Sequence, residues 1–263
     1  MNKSYFFISD IHLGIESDKL NNREQESVLI KFLEEIKTKA EELIIVGDLF
    51  DSWIEYKQVI PKGFYRFFTK FGELIESGVK VTYMAGNHDF WKGSFFKDEF
   101  GVEIFFSHIE RIIGSRKFYI HHGDGLAYKD TGYKIMKKIL RNKFSQFLYS
   151  WIHPDIGLWL AKKTSGRSRG YTDYKDYSER DGLRDFAEKK ITEGFNYVVM
   201  GHMHKPEHIK FNKGEYINLG NWITSFTYGV FKGDKFELKK YYDNKDKTVL
   251  AEEKRDIVAQ FIQ

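Results

Sequence analysis

Five times along the chain a short apolar run stops at His, Asp or Asn. Tyr5–Ser9 leads into Asp10-Ile11-His12, and Leu43–Val46 into Gly47-Asp48. Val79–Ala85 leads into Gly86-Asn87-His88-Asp89, Lys117–Ile120 into His121-His122-Gly123-Asp124, and Tyr197–Met200 into Gly201-His202-Met203-His204. Runs this short and this apolar predict buried strands. Between the first three, residues 23–40 carry Val28, Leu29, Phe32, Leu33 and Ile36 at helical spacing, and residues 61–77 predict a second helix opened by Pro61 and closed by Gly78. The order is βαβαβ, which calls for parallel strands with right-handed crossovers. From about residue 102 the elements shorten. Glu103–Phe106, Glu110–Ile113 and Arg116–Ile120 predict strands, 176–193 a helix, and 208–243 antiparallel strands with turns at Asn212-Lys213-Gly214 and Gly233-Asp234.

Residues 128–170 break this pattern. Met136, Leu140, Phe144, Phe147, Leu148 and Trp151 recur every three or four positions, and Pro154 separates that stretch from Ile156–Ala161. A helical hairpin inserted between two strands is the expectation. The same segment holds ten Lys or Arg against Asp130 and Asp155, a local balance of +8 in a chain whose formal net charge is +4. A basic block beside an apolar stripe suggests an anionic partner: phosphate, lipid headgroup or nucleic acid. The expected organisation is one domain over 1–243 with 128–170 as a helical cap. Residues 244–263 then form a tail or accessory helix.

Composition narrows the chemistry. The 263 residues, 41% hydrophobic, suffice for one large domain with a real core. No apolar run reaches the length of a membrane span. The first residues lack the long apolar segment of a secretory leader, so none is expected. The absence of cysteine removes disulfides, thiolate zinc sites and cysteine nucleophiles, and it fits a cytoplasmic enzyme.

A carboxylate at the mouth of a buried strand is costly to desolvate unless a cation or donor compensates it. One such end is most simply a helix cap, and a lone His is most simply a packed or surface residue. Five together are a set of oxygen and imidazole ligands gathered at one sheet edge. Asp10 and His12 stand two apart, as do His202 and His204, so each pair can point one way. Asp48 is the expected centre, its two oxygens bridging two divalent ions.

The motifs Asp10-x-His12, Gly47-Asp48-x-x-Asp51, Gly86-Asn87-His88-Asp89, His122-Gly123-Asp124 and Gly201-His202-x-His204 resemble the full set of the calcineurin-like metallophosphoesterases. Gly47-Asp-Leu-Phe-Asp-Ser-Trp-Ile54, Asp89-Phe90, His122-Gly-Asp-Gly-Leu126 with Gly132-Tyr133, and Leu219-Gly-Asn-Trp222 are similar to the UDP-2,3-diacylglucosamine pyrophosphatases of lipid A biosynthesis. The resemblance covers about residues 5–240. It implies an α/β fold, a metallophosphoesterase β-sandwich flanked by helices (αββα), with the insertion as a lipid-binding cap. It implies one metal on Asp10, His12, Asp48 and His204 and another on Asp48, Asn87, His122 and His202. Mn²⁺ is typical of the family, and the ligand chemistry also suits Fe or Zn.

Asp51, Asp89 and Asp124 would orient ligands or His88. His88, Asn87 and Asp89 are the expected catalytic group. Typical members of the closer family carry Arg where this chain has His88, and a histidine there can donate a proton to a leaving oxygen. Tyr133 matches a cap tyrosine, and Lys163, Arg167 and Arg169 are candidate cations for the diphosphate.

The implied reaction is cleavage of UDP-2,3-diacylglucosamine to UMP and 2,3-diacylglucosamine 1-phosphate by metal-bound hydroxide, on the cytoplasmic face of the inner membrane. The alternatives are a phosphodiesterase acting on cyclic nucleotides, nucleic acid or another nucleotide diphosphate, and a non-catalytic scaffold. Nucleic acid is not the expected partner, because a continuous aliphatic stripe is unlike a base-stacking groove.

Overall fold

A computed structural model describes residues 3–15, 21–89, 93–126, 142–161, 163 and 182–242. Two mixed sheets lie face to face with helices outside them. The first has the order β11-β10-β1-β2-β3-β4 and the second β5-β6-β7-β9-β8. In the first, β1 (Ser4–Ile8), β2 (Ala40–Val46), β3 (Lys80–Met84) and β4 (Ile104–Phe105) are parallel, while β10 (Thr227–Lys232) and β11 (Lys235–Lys240) add an antiparallel hairpin beside β1. In the second, β6 (Arg116–Ile120), β7 (Tyr197–Met200) and β9 (Glu215–Leu219) are parallel, and β5 (Ile109–Ile113) and β8 (Pro206–Lys210) form antiparallel edges.

Three apolar layers follow from the strand alternation. Phe7, Ile44, Val46 and Met84 of the first sheet meet Phe118, Ile120, Val199 and Ile217 of the second between the sheets. The opposite side chains of the first sheet, Phe6, Ile8, Leu43 and Ile45, pack under α1 (Asn22–Ile36) and α2 (Tyr65–Glu76). Tyr119, Val198 and Met200 pack under the helix Gly182–Thr192. Strands covered on both faces read as continuous apolar runs, which is why they were legible.

The differences from expectation include two helix boundaries and one added helix. The first helix stops at Ile36, because Lys39 N–H turns back to Ile36 O and Ala40 already pairs with Ser4. The second begins at Tyr65, not Pro61, because Gly63 at φ 107° cannot lie in a right-handed helix. A short helix α3 (Phe95–Phe100), unforeseen, closes on Gly101 in the left-handed conformation.

Of the insertion, Lys143–Ser150 and 154–161 are helical. Asn142 caps the first by accepting from Phe144 and Ser145 N–H. Tyr149 Oη donates to Gly157 O, joining the two helices. Gly157 lies against Tyr56 of the body, where a Cβ would overlap the Tyr56 hydroxyl. Phe144, Phe147, Leu148 and Trp151 are exposed rather than packed. Met136 and Leu140 of the stripe lie outside the described residues, as do Tyr133, Arg167, Arg169 and the tail 244–263.

Candidate metal centre

All five motif-bearing loops leave the C-terminal ends of parallel strands: β1, β2 and β3 of one sheet, β6 and β7 of the other. The ligand types therefore converge from two sheets, across the top of the sandwich, rather than along one edge. Main-chain bonds lace the loops together. Asp10 N–H donates to Gly47 O (3.1 Å), His12 N–H to Asp48 O (3.0 Å) and Gly201 N–H to His122 O (2.9 Å).

The chain turns sharply to present these groups. Asp10, His12, Asp48, His202 and His204 all have φ between 51° and 70°, five of the seven candidate ligands. Each left-handed non-glycine residue costs on the order of 1 kcal/mol or more and persists where the surroundings over-determine it. The neighbouring glycines give the loops room. A Cβ on Gly86 would overlap Asp48 Oδ1, and one on Gly201 would overlap Ser9 Oγ and Asp10 Oδ2.

Two groups of ligand atoms result. In one, Asp10 Oδ1 lies 3.3 Å from His204 Nε2 and 3.8 Å from His12 Nε2, and the two imidazole Nε2 atoms are 3.2 Å apart. In the other, Asn87 Oδ1 lies 3.0 Å from His122 Nε2 and 2.8 Å from His202 Nδ1. Asp48 stands between them. Its Oδ2 is 3.3 Å from His122 Nε2 and 3.7 Å from His12 Nε2, while Oδ1 accepts from His88 N–H (2.8 Å). One carboxylate oxygen, not two, thus faces both groups.

The donor set fits divalent cations. His122 Nδ1 faces Val46 O at 2.8 Å, and a carbonyl can only accept, so the ring proton sits there. That leaves the Nε2 lone pair against Asn87 Oδ1 and Asp48 Oδ2, an arrangement of acceptors that needs a cation or an added proton. Asp10 Oδ1 and His12 Nδ1 are buried without a hydrogen-bond partner. Nitrogen and oxygen ligands of this kind suit Mn, Fe or Zn, and the arrangement does not select among them.

The electrostatics agree. Burial opposes ionisation of Asp10 and Asp48, yet the histidines around them hold both carboxyls below the usual range. Burial likewise disfavours the His122 cation, but Asp48, Asp10 and Asp124 pull it up to about 10. Burial and the neighbouring His122 push His202 down to about 4.

His88 has its Nδ1 proton on Asp51 O (2.7 Å) and Nε2 4.0 Å from Asp48 Oδ2. Burial, outweighing the pull of Asp48, lowers it to about 4. Asp89 Oδ2 accepts from Leu49 and Gly86 N–H, and Asp51 Oδ1 is 3.7 Å from His12 Nδ1. His121 Nδ1 accepts from Gly123 N–H. Lys163 lies at the far end of the insertion's second helix, over the Trp159 ring. Sequence reasoning missed Ser9, whose hydroxyl lies 2.5 Å from Asp10 Oδ2 and 2.7 Å from Val46 O. Its only signal was adjacency to Asp10.

Residues 4–206 match the calcineurin-like phosphoesterase family. The chain belongs to that family. A UDP-2,3-diacylglucosamine hydrolase of Porphyromonas gingivalis is 30% identical, over 92% of this chain and 99% of the relative. One from Haemophilus influenzae is 27% identical, over 89% and 96%. Among solved structures, an archaeal phosphodiesterase aligns at 15% identity and a TM-score of 0.46, over 90% of this chain and 98% of the other. Among the described residues, no helix is long and apolar enough to cross a membrane.

Proposed function

We infer that this phosphoesterase hydrolyses the pyrophosphate of UDP-2,3-diacylglucosamine, releasing UMP and 2,3-diacylglucosamine 1-phosphate. The observation that carries the reading is a contrast within the chain. The same chain carries a buried centre of Asp, Asn and His and a helical segment whose aromatic and aliphatic side chains are exposed. Such a centre suits phosphoryl chemistry, and such a segment suits acyl chains. The names of the relatives point to the same substrate.

Bound divalent cations would activate water and offset charge on the phosphate oxygens. Asp10, His12, Asp48 and His204 would hold one ion, and Asp48, Asn87, His122 and His202 the other. His88, fixed through Nδ1 by Asp51 O, presents Nε2 toward Asp48. To serve as the acid for the leaving oxygen, it must first take up a proton at Nε2. Asp89 ties the loops carrying Leu49 and Gly86. Residues 128–170 act as a cap over the acyl chains, with Tyr133, Lys163, Arg167 and Arg169 contacting the diphosphate-bearing substrate. The exposed Phe144, Phe147, Leu148, Trp151, Ile156 and Trp159 bring the enzyme to the surface of the membrane that holds the lipid.

A hydrolysis screen with Mn²⁺ tests the reading. UDP-2,3-diacylglucosamine should be cleaved far faster than other nucleotide diphosphates, cyclic nucleotides or DNA. A preference for any of those overturns the lipid assignment and leaves the family assignment intact.

A further inference from the structure

Asp10, His12 and His204 all lie in the left-handed region, so something must hold them there. Besides bonds among the candidate ligands themselves, such as His12 N–H to Asp48 O and His202 N–H to Asp10 Oδ2, restraints come from residues outside that set. Gln25, in the first turn of α1 and 3% exposed, donates from Nε2 to Ile11 O (2.6 Å) and Trp222 O (3.2 Å). Ile11 is the residue between Asp10 and His12. The amide can adopt only this orientation, because the reverse would set Oε1 against two carbonyls. Oε1 itself is buried without a partner. Trp222 N–H then donates to Asp10 O (3.0 Å). Its neighbour Asn221 donates from Nδ2 to His204 O (2.7 Å). Asn221 Oδ1 meanwhile accepts from Ile223, Thr224 and Ser225 N–H, which folds residues 221–225 into a tight turn. One loop therefore grips the backbones of two ligands, one at the end of β1 and one beyond β7, and Gln25 pins both that loop and Ile11.

The hydrogen bonds of Gln25 and of the Asn221 and Trp222 amides reach none of Asn87, His122 or His202. That side has contacts of its own: His122 Nδ1 donates to Val46 O (2.8 Å) and Gly201 N–H to His122 O (2.9 Å), while His202 N–H donates to Asp10 Oδ2 (2.9 Å), a bond between the two sides that none of these amides makes. We propose that Gln25 and Asn221 are positioning residues for one of the two metal positions, that of Asp10, His12 and His204, and not for the other. The proposal rests on the two-metal reading given above.

The test titrates metal-free full-length protein with Mn²⁺ alone, by calorimetry and by electron paramagnetic resonance. Asn221→Asp keeps the acceptor that builds the turn and removes the donor to His204 O. Gln25→Met keeps volume and removes both donors. Outer-shell changes typically cost about 10–100-fold in metal affinity. The expected result in each variant is one binding step weakened by roughly that factor and the other within about twofold. The spin-coupled two-ion spectrum should then appear only at higher Mn²⁺. Two folded variants with both steps weakened alike, or with neither changed, overturn the positioning role. Wild-type protein that fails to take up two ions overturns the two-metal reading itself, and the proposal with it. If Asn221→Asp fails to fold, Gln25→Met decides the matter.

Discussion

Trp53 and Trp151 are chemically identical and meet opposite fates. Trp53 follows the Asp48 loop, is wholly buried, and stacks on Phe50 among Phe64, Phe68, Phe95 and Phe96. Trp151 ends the helix Lys143–Ser150 and is 77% exposed, and Trp159 of the following helix is 58% exposed. Around Trp53 each ring fills volume that another ring defines, which rigidifies the loop behind the candidate metal centre. Around Trp151 the apolar side chains define no volume of their own. Exposed apolar patches of this kind are typical of interaction surfaces. The body fills its own interior, whereas the described part of the segment leaves its large apolar side chains exposed. Substitutions in the two regions should therefore fail in different ways.

The largest effect belongs to the body. Asp48→Ala removes the side chain that stands between the two ligand groups. Metal analysis should find neither ion retained, and nearly all turnover should vanish on every substrate, acylated or not. Full activity in that variant would break the binuclear reading. Next comes His88→Ala. If His88 protonates the leaving oxygen, the variant should lose about 10²–10⁴-fold on a poor leaving group and far less on an activated aryl phosphate. Equal losses on both would leave His88 as a phosphate-binding or structural group, its Nδ1 bond to Asp51 O being what the variant removes.

The segment should fail selectively. Phe147→Asp with Leu148→Asp places charges where acyl chains would lie. At about 0.8 kcal/mol per buried CH₂, losing contact with two methylenes already costs roughly tenfold. The doubly substituted protein should show at least about a tenfold higher KM for the diacylated substrate and near-normal kinetics on a small soluble phosphodiester. Equal damage to both substrates would mean that the segment supports the body, erasing the contrast between Trp53 and Trp151.

How much of this was legible follows from the same physics. The five strand ends were readable because ionisable groups beside apolar runs need compensation, and that need is local in sequence. Of the expected insertion, the helices Lys143–Ser150 and 154–161 were readable from the spacing of their apolar residues on either side of Pro154. The helix Phe95–Phe100 was not, since six residues are too few to establish a period. Nor was the start of the second helix, which Gly63 delays by its backbone conformation rather than by any loss of pattern. The left-handed conformations of Asp10, His12 and Asp48 left no trace, because non-glycine residues there obey tertiary demands. Gln25 and Asn221 were invisible in function for a related reason. Their amides bond main-chain carbonyls far away in sequence, and such bonds impose no periodicity.

The smallest effect concerns pH, and it too should be confined to the body. In metal-free protein His88 and His202 are held near 4 by burial, against an ordinary value of 6.5, so the unfolded chain binds more protons than the folded one between those values. Stability must then fall as pH drops from about 6.5 toward 4. His122 runs the other way. Despite its burial, the carboxylates raise it to about 10, so its contribution is complete below 6.5 and is lost as pH rises toward 10. Asp10 and Asp48, depressed below the ordinary carboxylate value, contribute until the pH falls below that value. Together these groups place the stability maximum of metal-free protein near pH 6.5, with losses on both sides. Urea unfolding at pH 4.5, 6.5 and 8.5 should show the middle value highest. Histidine proton shifts should show an imidazolium at His122 above pH 7 and neutral rings at His88 and His202 down to about pH 4–5. The Phe147→Asp, Leu148→Asp protein should give the same profile, because the exposed segment contributes none of these groups. A profile that changes with those two substitutions would show that the segment and the metal centre are coupled.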